Sequence, residues 1–484
     1  MSQNAYTNDL AMPHPRGRLV LNALEKVAAI ALAGLVLYLA ATESLDWVPF
    51  LIGALAALVL LLVDWPYGAF LELCIAASMP RWVIKINKWH AKPEHFVVAA
   101  VGLFLLSRMV ARKHEWKSLG RPEFLLLAFL ALNFFTSVVA SPDRSSTLRW
   151  ALMLTLAVSP FFITLQVVRT PPQLDRFMVL WLWVGALGAL FGIVCFFSYL
   201  SFRTDFGVTV VGFLGFIPEV HGSLWEPNIF GSYCTSFAVM FLFYFIDSTT
   251  RSLWHLAGLI ITTVGTLLSL ARQGLICLVF VGGMVLFYNL RRTKFRVKHM
   301  TLVVASVLLA FIVGFSVMGN LSERIASISI DTAGEDPTVV RRAGMLALAM
   351  QDIQQHPILG LGTSSFQLLY IADSDITYQG LDSAWLGSLF FGIVHDTGVI
   401  GMILFLWLLV ELRRRTWRIL TAPVRTPATT AVGALSAGVL VMLIAYQITD
   451  ASTLAFTWVQ FGLLAAALRI SENYSIAASG ESVR

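Results

Sequence analysis

The sequence predicts an all-α, polytopic membrane protein with about 12–14 transmembrane helices, for two reasons. Hydrophobic residues make up 57% of the 484 residues and charged residues only 13%, whereas soluble domains carry about 25% charged residues; the mean hydropathy is +0.77. The apolar segments are also long enough for helices, which need about 20 residues to span a bilayer, and too long for barrel strands of about 10 residues.

Fourteen apolar segments are candidates for spanning the membrane. They are 26–42, 48–63, 67–80, 95–110, 123–140, 149–168, 177–200, 230–247, 253–270, 274–290, 300–318, 386–411, 429–447 and 453–469. These segments leave no room for a separate soluble domain. The chain therefore divides into N-terminal transmembrane helices (1–318), an extramembrane loop (319–385), and C-terminal transmembrane helices with a tail (386–484).

The distribution of Lys and Arg predicts how the chain crosses the membrane. The richest loops, 108–121, 291–298 and 412–425, are expected in the cytoplasm together with both termini. The basic segment 81–92 then falls outside, either as an interfacial amphipathic segment with snorkelling lysines or as a phosphate-facing patch. The net charge of +6 is concentrated in these few loops, which indicates membrane topology and not nucleic-acid binding.

This orientation gathers the polar features of the chain on the outer side. They are the loops 141–148 and 201–229, the turn at Arg272, and the long connection 319–385. Within that connection, Asp336 and Pro337 predict the start of a helix. The helix is expected to lie on the membrane with one apolar side, formed by Val340, Met345, Leu348 and Ala349.

Arg272 stands in the apolar stretch "TTVGTLLSLARQGLICLVFVGG", residues 262–283. It is expected at a tight outer turn between two spans, either as a snorkelling interfacial side chain or as a ligand for phosphate oxygens. Arg341 and Arg342 are adjacent on the predicted loop helix and point about 100° apart. We therefore expect at most one of the two to face a pocket shared with Arg272.

Two further elements carry candidate catalytic groups. Glu226 and Asn228 flank Pro227 at the start of a span, where they either cap the helix or present a carboxylate and an amide to a polar cavity. His395 and Asp396 are expected at the outer boundary of the span 386–411, as a helix break or as a general base with its orienting partner. Asp382, just outside the membrane, is the rival base.

Several common chemistries leave no signature in the sequence. There is no phosphate loop, no zinc-protease motif and no nucleophile elbow. The carboxylates are too scattered for a two-metal site, so we expect neither a metal nor another cofactor.

Four segments in order resemble the O-antigen ligase/polymerase superfamily of bacterial membrane glycosyltransferases. They are "EPNIFGSY" (226–233), "SLARQG" (269–274), "RAGMLALAMQDIQQHPILGLGTSSF" (342–366) and "HDTGVIG" (395–401). The resemblance covers roughly 200–415 by motif. It implies a GT-C-like fold with a long periplasmic loop between two late helices, set in the bacterial inner membrane.

The resemblance also implies a reaction. A glycan on a polyprenyl diphosphate, undecaprenyl in bacteria, would be transferred to a hydroxyl of a glycan or glycolipid acceptor, without a metal and with inversion. Arg272 matches the family's diphosphate-binding turn arginine, and Arg342 matches its loop-helix arginine. The family's His-Asn pair is replaced here by Asp382-Ser383, and Glu219 and His221 stand where an upstream arginine is often found.

The base is therefore left open among His395, Asp382 and Glu226, with Asn228, His221 and Asp396 as supporting residues. Within the family, ligase and polymerase activities remain alternatives. Outside it, the chain could be a transporter or flippase for lipid-linked glycans, or a scaffold of a glycan-assembly complex. The sequence shows neither inverted repeats nor polar residues gathered near the midplane, which a transporter would lead us to expect.

Overall fold

The computed structural model describes residues 64–80, 84–86, 89–111, 115–211, 217–247, 252–292, 337–370, 386–422, 425–426 and 428–479. Over these residues the protein is mostly helical, and six helices are long and apolar enough to cross a membrane. The all-α membrane prediction is thereby confirmed. The predicted spans 26–42, 48–63 and 300–318 lie outside the described residues.

The described helices follow the predicted spans closely. In chain order they are α1 (Trp65–Ala77), α2 (Pro93–Val110), α3 (Arg121–Val139), α4 (Arg144–Val167), α5 (Pro171–Phe202), α6 (Pro227–Ile246), α7 (Leu253–Leu268), α8 (Arg272–Arg292), α9 (Pro337–Gln355), α10 (Ser365–Tyr370), α11 (Leu389–Thr421), α12 (Thr429–Ala445) and α13 (Ala455–Ser479). Proline stands in the first turn of α1, α2, α3, α5 and α6, where its missing N–H costs no hydrogen bond.

Two short antiparallel hairpins join helices. Strand β1 (Ile84–Ile86) pairs with β2 (Trp89–Ala91), and β3 (Val208–Val211) pairs with β4 (Ile217–Val220). The strands of the first hairpin lie within 81–92, for which the sequence left open an interfacial amphipathic segment or a phosphate-facing patch. Its register pairs apolar positions with each other, Ile84 with Ala91 and Ile86 with Trp89, because apolar and polar residues alternate with the period of a strand.

Helix α6 lies at the centre of the bundle. All of its residues except Asn228 are buried, and it packs against α5, α7, α8 and α12. Glycines on the neighbouring helices make this packing possible, since a Cβ at Gly185 would overlap the ring of Phe237 and one at Gly258 the ring of Phe241. Small residues at such contacts are typical of helices packed in membranes.

Cross-helix contacts fix which helix ends lie together. Ser236 in the middle of α6 donates to the carbonyl of Gly438 in the middle of α12. Thr430 at the start of α12 donates to Asp247 at the end of α6. The start of α6 therefore lies with the end of α12. The backbone N–H of Leu389, at the start of α11, donates to the carbonyl of Tyr446, at 2.8 Å. We call this end of the bundle the upper end and the opposite one the lower end.

The lower end carries the basic loops. Arg425 lies 3.1 Å from Asp247 and Arg469 2.5 Å from Glu123, each joining two chain segments. The first ion pair joins the loop that contains Arg425 to the end of α6, and the second joins α13 to the first turn of α3.

Large apolar side chains remain exposed along the outer helices. They lie on α3, α5, α8 and α11 and include Phe124, Phe135, Trp183, Leu187, Val194, Phe197, Val279, Phe280, Ile403, Trp407 and Val410. Such a belt would be costly in water and is satisfied by lipid. Together with the long apolar helices, it identifies an integral membrane protein.

Candidate functional site

The turn that leads into Arg272 lies against the start of α6. Leu270 adopts a positive φ of 57°, and the Ser269 hydroxyl donates to the carbonyl of Thr266 and accepts from the N–H of Ala271. A Cβ at Gly231 would lie only 2.6 Å from the Cβ of Ala271. Because glycine stands at 231, the "SLARQG" turn can sit directly on the "EPNIFGSY" helix start.

Hydrogen bonds reinforce this contact. Gln273, the neighbour of Arg272, donates to the carbonyl of Asn228 at 3.4 Å, and Thr235 donates to the carbonyl of Gly274 at 3.1 Å. Arg272 itself is the first residue of α8 and its side chain is exposed. A guanidinium in the first turn of a helix adds its charge to the positive end of the helix dipole, an arrangement that attracts anions.

The other predicted residues of this region have different surroundings. Glu226 is the N-cap residue of α6 and is half-buried, and its side chain makes no capping hydrogen bond. His221 is 2% exposed, with Nδ1 2.9 Å from the carbonyl of Leu224 and its backbone N–H donating to Gly207. These contacts suit a residue that closes the loop before α6.

Helix α9 begins at Pro337, as predicted. Arg341 lies in this helix with its side chain outside the described residues, and Arg342 is half-buried. Met345 packs against the cluster formed by Ala349 and Phe366, whereas Leu348 is 38% exposed. Positions 345, 348 and 349 of this helix share one side, and its contact with the membrane stays a prediction.

The segment "HPILGLG" (356–362) docks onto a break in α11. Three backbone hydrogen bonds hold it, each 2.9 Å long: Val399 donates to Pro357, and Leu361 and Gly362 donate to the carbonyls of His395 and Asp396. Helix α11 is interrupted at Gly398, whose φ is 63° and ψ −167°. A Cβ there would overlap the carbonyl oxygen of Ile358, so the contact requires glycine.

Asn133 and Ser137 on α3 hold the end of this segment. The Thr363 hydroxyl donates to the side-chain oxygen of Asn133 at 2.9 Å, and the Thr363 N–H donates to the Ser137 hydroxyl at 3.1 Å. All three side chains are buried. The segment is therefore fixed between α3 and α11 and is not a free loop.

His395 lies at the centre of this junction and is 1% exposed. Its Nε2 is 3.0 Å from a carboxylate oxygen of Asp352, and its Nδ1 is 3.4 Å from Asp396 and 3.3 Å from the Ser365 hydroxyl. An imidazole that bears protons on both nitrogens satisfies both carboxylates. Because neither nitrogen faces open space, the geometry favours a positioning role for His395 over the predicted role of general base.

Asp396 joins this junction to a cavity. One of its oxygens accepts the Ser364 N–H at 2.6 Å and the other faces His395. The cavity beside it has a volume of about 80 Å³. Its lining combines polar and aromatic side chains from α3, α10, α13, the start of α11 and the loop between α12 and α13, among them Asn133, Phe366, Gln367, Ser388, Asp396, Asp450, Ser452 and Trp458.

Asp450 is the residue in this cavity that the sequence interpretation missed. It stands between the predicted spans 429–447 and 453–469. Burial, with a smaller contribution from the charge of Asp396, raises the pKa of the Asp450 carboxyl to about 6. The only sequence signal was a single acidic residue in a short connector between two apolar spans.

The predicted residues thus form two groups at the upper end. Arg272, Glu226, Asn228 and His221 surround the start of α6, whereas His395 and Asp396 join the loop segment to α11. Asp382 lies outside the described residues. Within the described part of the chain, no three His, Cys, Asp or Glu side chains are arranged to hold a metal ion.

Comparison with known proteins supports the resemblance noted in the sequence. No curated protein sequence matches the chain. A family model described as O-antigen ligase matches residues 257–406, a stretch that contains the Arg272 turn, helix α9, the docked segment and the break in α11. Residues 257–406 are therefore similar to the O-antigen ligase family, in the same region that carries three of the four motif segments.

Proposed function

We propose that this protein transfers a glycan from a polyprenyl diphosphate to a hydroxyl group of a glycan or glycolipid acceptor. The family supports an O-antigen ligase/polymerase-type glycosyltransferase in general. The observation that carries the finer proposal is the position of Arg272. It is exposed at the first turn of α8, against the start of α6, at the end of the bundle where the other family motifs also lie.

Arg272 would bind the diphosphate of the donor. As the bond between the anomeric carbon and the diphosphate oxygen breaks, negative charge develops on the leaving group. A guanidinium fork and the N–H groups of a helix start stabilise such charge, most strongly where water is scarce. Arg342, half-buried on α9, is a second candidate for the diphosphate, with Arg341 as the alternative on the same helix.

The reaction needs no nucleotide, because the diphosphate ester is already an activated leaving group. In this proposal the arginines supply the positive charge that the departing diphosphate needs, so the transfer is metal-independent. Direct attack by the acceptor oxygen on the anomeric carbon gives inversion. A general base, either a carboxylate or a neutral imidazole, must take the acceptor proton at that moment. Glu226 and Asp382 are candidates from the sequence, and His395 would act by holding Asp396 and Asp352 in place.

The charge distribution supports an orientation for the proposed reaction. The basic loops lie at the lower end, which the positive-inside rule assigns to the cytoplasm together with both termini. The upper end would then face the periplasm of a bacterial inner membrane. The polyprenyl tail would lie along the exposed apolar faces of the outer helices, with its diphosphate at Arg272.

The test uses purified protein in proteoliposomes with undecaprenyl-diphosphate-linked glycan extracted from a strain lacking this protein. Arg272→Ala should lower the transfer rate at least about 100-fold, the loss typical of removing one oxyanion-stabilising group, and Arg272→Lys should restore part of it. Arg144→Ala is the matched control, since Arg144 is also an exposed arginine that begins a helix at the upper end. Unchanged transfer by Arg272→Ala would contradict the proposal.

The glycan profile of a deletion strain separates the two activities of the family. Loss of lipid A attachment with intact lipid-linked polymer identifies a ligase, whereas the accumulation of single repeats identifies a polymerase. Protein that moves lipid-linked glycan across vesicles without forming a new glycosidic bond would instead support the transporter alternative.

A further inference from the structure

The cavity between α3, α10, α11 and the 446–454 loop is a second feature of the upper end. It lies beside the His395 junction and differs in character from the Arg272 region. Its volume of about 80 Å³ is room for roughly six water molecules, at about 10–15 Å³ each. That space suits the edge of one sugar ring with its hydroxyl groups, and not a whole glycan.

The lining of this cavity suits a carbohydrate. Carboxylate, amide and hydroxyl groups from Asp396, Asp450, Asn133 and Ser388 alternate with the aromatic side chain of Trp458 and with phenylalanines. Sugars present hydroxyl groups at their edges and C–H groups on their faces, so they bind where hydrogen-bonding groups stand beside aromatic surface.

Gln367 supplies an independent indication of a ligand. It lines the cavity and is only 8% exposed. Across the residues that the structure describes, its side-chain amide makes no hydrogen bond, in contrast to the bonded amide of Asn133 nearby. An amide that faces a cavity without a protein partner is available to hydrogen-bond a molecule bound there.

The carboxylate of Asp450 is held in one orientation by its own loop. The Ser452 N–H donates to one oxygen at 2.7 Å and the Ser452 hydroxyl to the other at 3.0 Å. Trp458 in turn donates its indole N–H to the carbonyl of Ser452 at 2.6 Å. Each carboxylate oxygen keeps lone pairs beyond these bonds, so it can still accept a proton.

The groups around Asp450 leave it without a positive partner. Asp396 on α11 and Tyr446 at the end of α12 are the titratable groups that interact with it. In the described residues no lysine or arginine forms an ion pair with it. A carboxylate without a cationic partner is a stronger base than one that is neutralised.

We propose that this cavity binds the acceptor sugar and that Asp450 is the general base of the transfer. The inference rests on the proposed function and assigns the base that the sequence left open. As the acceptor oxygen bonds to the anomeric carbon, its proton passes to an Asp450 oxygen. The bond from the anomeric carbon to the diphosphate breaks, and its electron pair leaves with the lipid diphosphate. Asp450 then releases the proton to water.

The pH dependence of the rate follows from the state of this carboxyl. Only the ionised form accepts a proton. Because burial raises the pKa of Asp450 to about 6, the ionised fraction falls as the pH drops through that value. The wild-type rate should be constant above about pH 7 and fall about tenfold per pH unit below 6.

The experiment measures transfer in the proteoliposomes described above, from pH 5 to pH 8, together with binding of undecaprenyl diphosphate alone. Asp450→Asn should lower the rate at least about 100-fold, the lower bound for loss of a general base, and should leave undecaprenyl diphosphate binding unchanged. Gln367→Ala should raise the acceptor KM more than it lowers kcat. Asp205→Asn is the matched control, since Asp205 is an exposed carboxylate at the upper end outside the cavity, and its profile should follow the wild type.

Three results would separate the possible failures. If the wild-type protein transfers glycan and Asp450→Asn keeps both the wild-type rate and the fall in rate at low pH, the inference is overturned and the proposed function stands. An Asp450→Asn variant that loses undecaprenyl diphosphate binding as well would mean that the residue maintains the fold and is not the base. Wild-type protein that transfers nothing would overturn the proposed function itself.

Discussion

Replacement of Gly398 by alanine is the sharpest test of how the upper end is built. Gly398 has φ 63° and ψ −167°, a region that only glycine adopts without strain, at a cost of about 1–3 kcal/mol for another residue. The new Cβ would also overlap the carbonyl oxygen of Ile358. The variant must therefore move the docked segment away from α11.

The loss can be estimated from the contacts that the movement breaks. Three backbone hydrogen bonds of 2.9 Å join the segment 357–362 to α11, and each contributes about 1 kcal/mol net. If the segment moves away, the variant loses about 3 kcal/mol of docking free energy. Since each 1.4 kcal/mol is a factor of ten, the amides of Leu361 and Gly362 should exchange roughly 100-fold faster or more.

Hydrogen exchange followed by mass spectrometry measures this in the detergent-solubilised full chain. Peptides covering 357–366 should lose protection, while peptides of α6 should not. Gly344→Ala is the control, because Gly344 is in α9 of the same loop region and has open space around its Cα, so alanine should be neutral or slightly stabilising. If the peptides covering 357–366 exchange at the wild-type rate in Gly398→Ala, the segment does not depend on glycine at 398 for its docking onto α11.

Two further substitutions test the contacts of the two groups of residues at the upper end, one around His395 and one around the Arg272 turn. Asp352→Asn should lower stability by about 1.5–3 kcal/mol, because it weakens a charge-assisted hydrogen bond to His395; an unchanged melting temperature would contradict this. Gly231→Ala should cost about 1–3 kcal/mol by overpacking and lower transfer, because its Cβ would lie 2.6 Å from that of Ala271 beside the Arg272 turn. Gly282→Ala, with only one side-chain atom at 3.8 Å, should match the wild type in both assays.

The described spans were predictable because hydropathy depends on local sequence. The helix over 171–202 and the helix start at Pro337 follow from apolar runs and from proline at first-turn positions. The hairpin at 84–91 was missed because a short alternating segment next to the membrane was interpreted only by its charge.

The candidate residues were found from their types and motifs, but their partners were not. His395 and Asp352 are 43 residues apart in sequence and 3.0 Å apart in space. Such a contact depends on how α9 returns to α11, and no local pattern encodes that path. The same holds for Asp450, which joins Asp396 in one cavity only because the loop between α12 and α13 meets α11 there.

The sequence by itself determined the membrane class, the order of the described spans and the motifs of the superfamily, since each of these depends on residues close together in the chain. The tertiary structure decided which motifs touch. It placed the Arg272 turn on the start of α6 through Gly231, enclosed His395 between two carboxylates, and left Asp450 facing a cavity. These outcomes depend on packing between distant segments, where a missing Cβ or a single backbone hydrogen bond decides the approach.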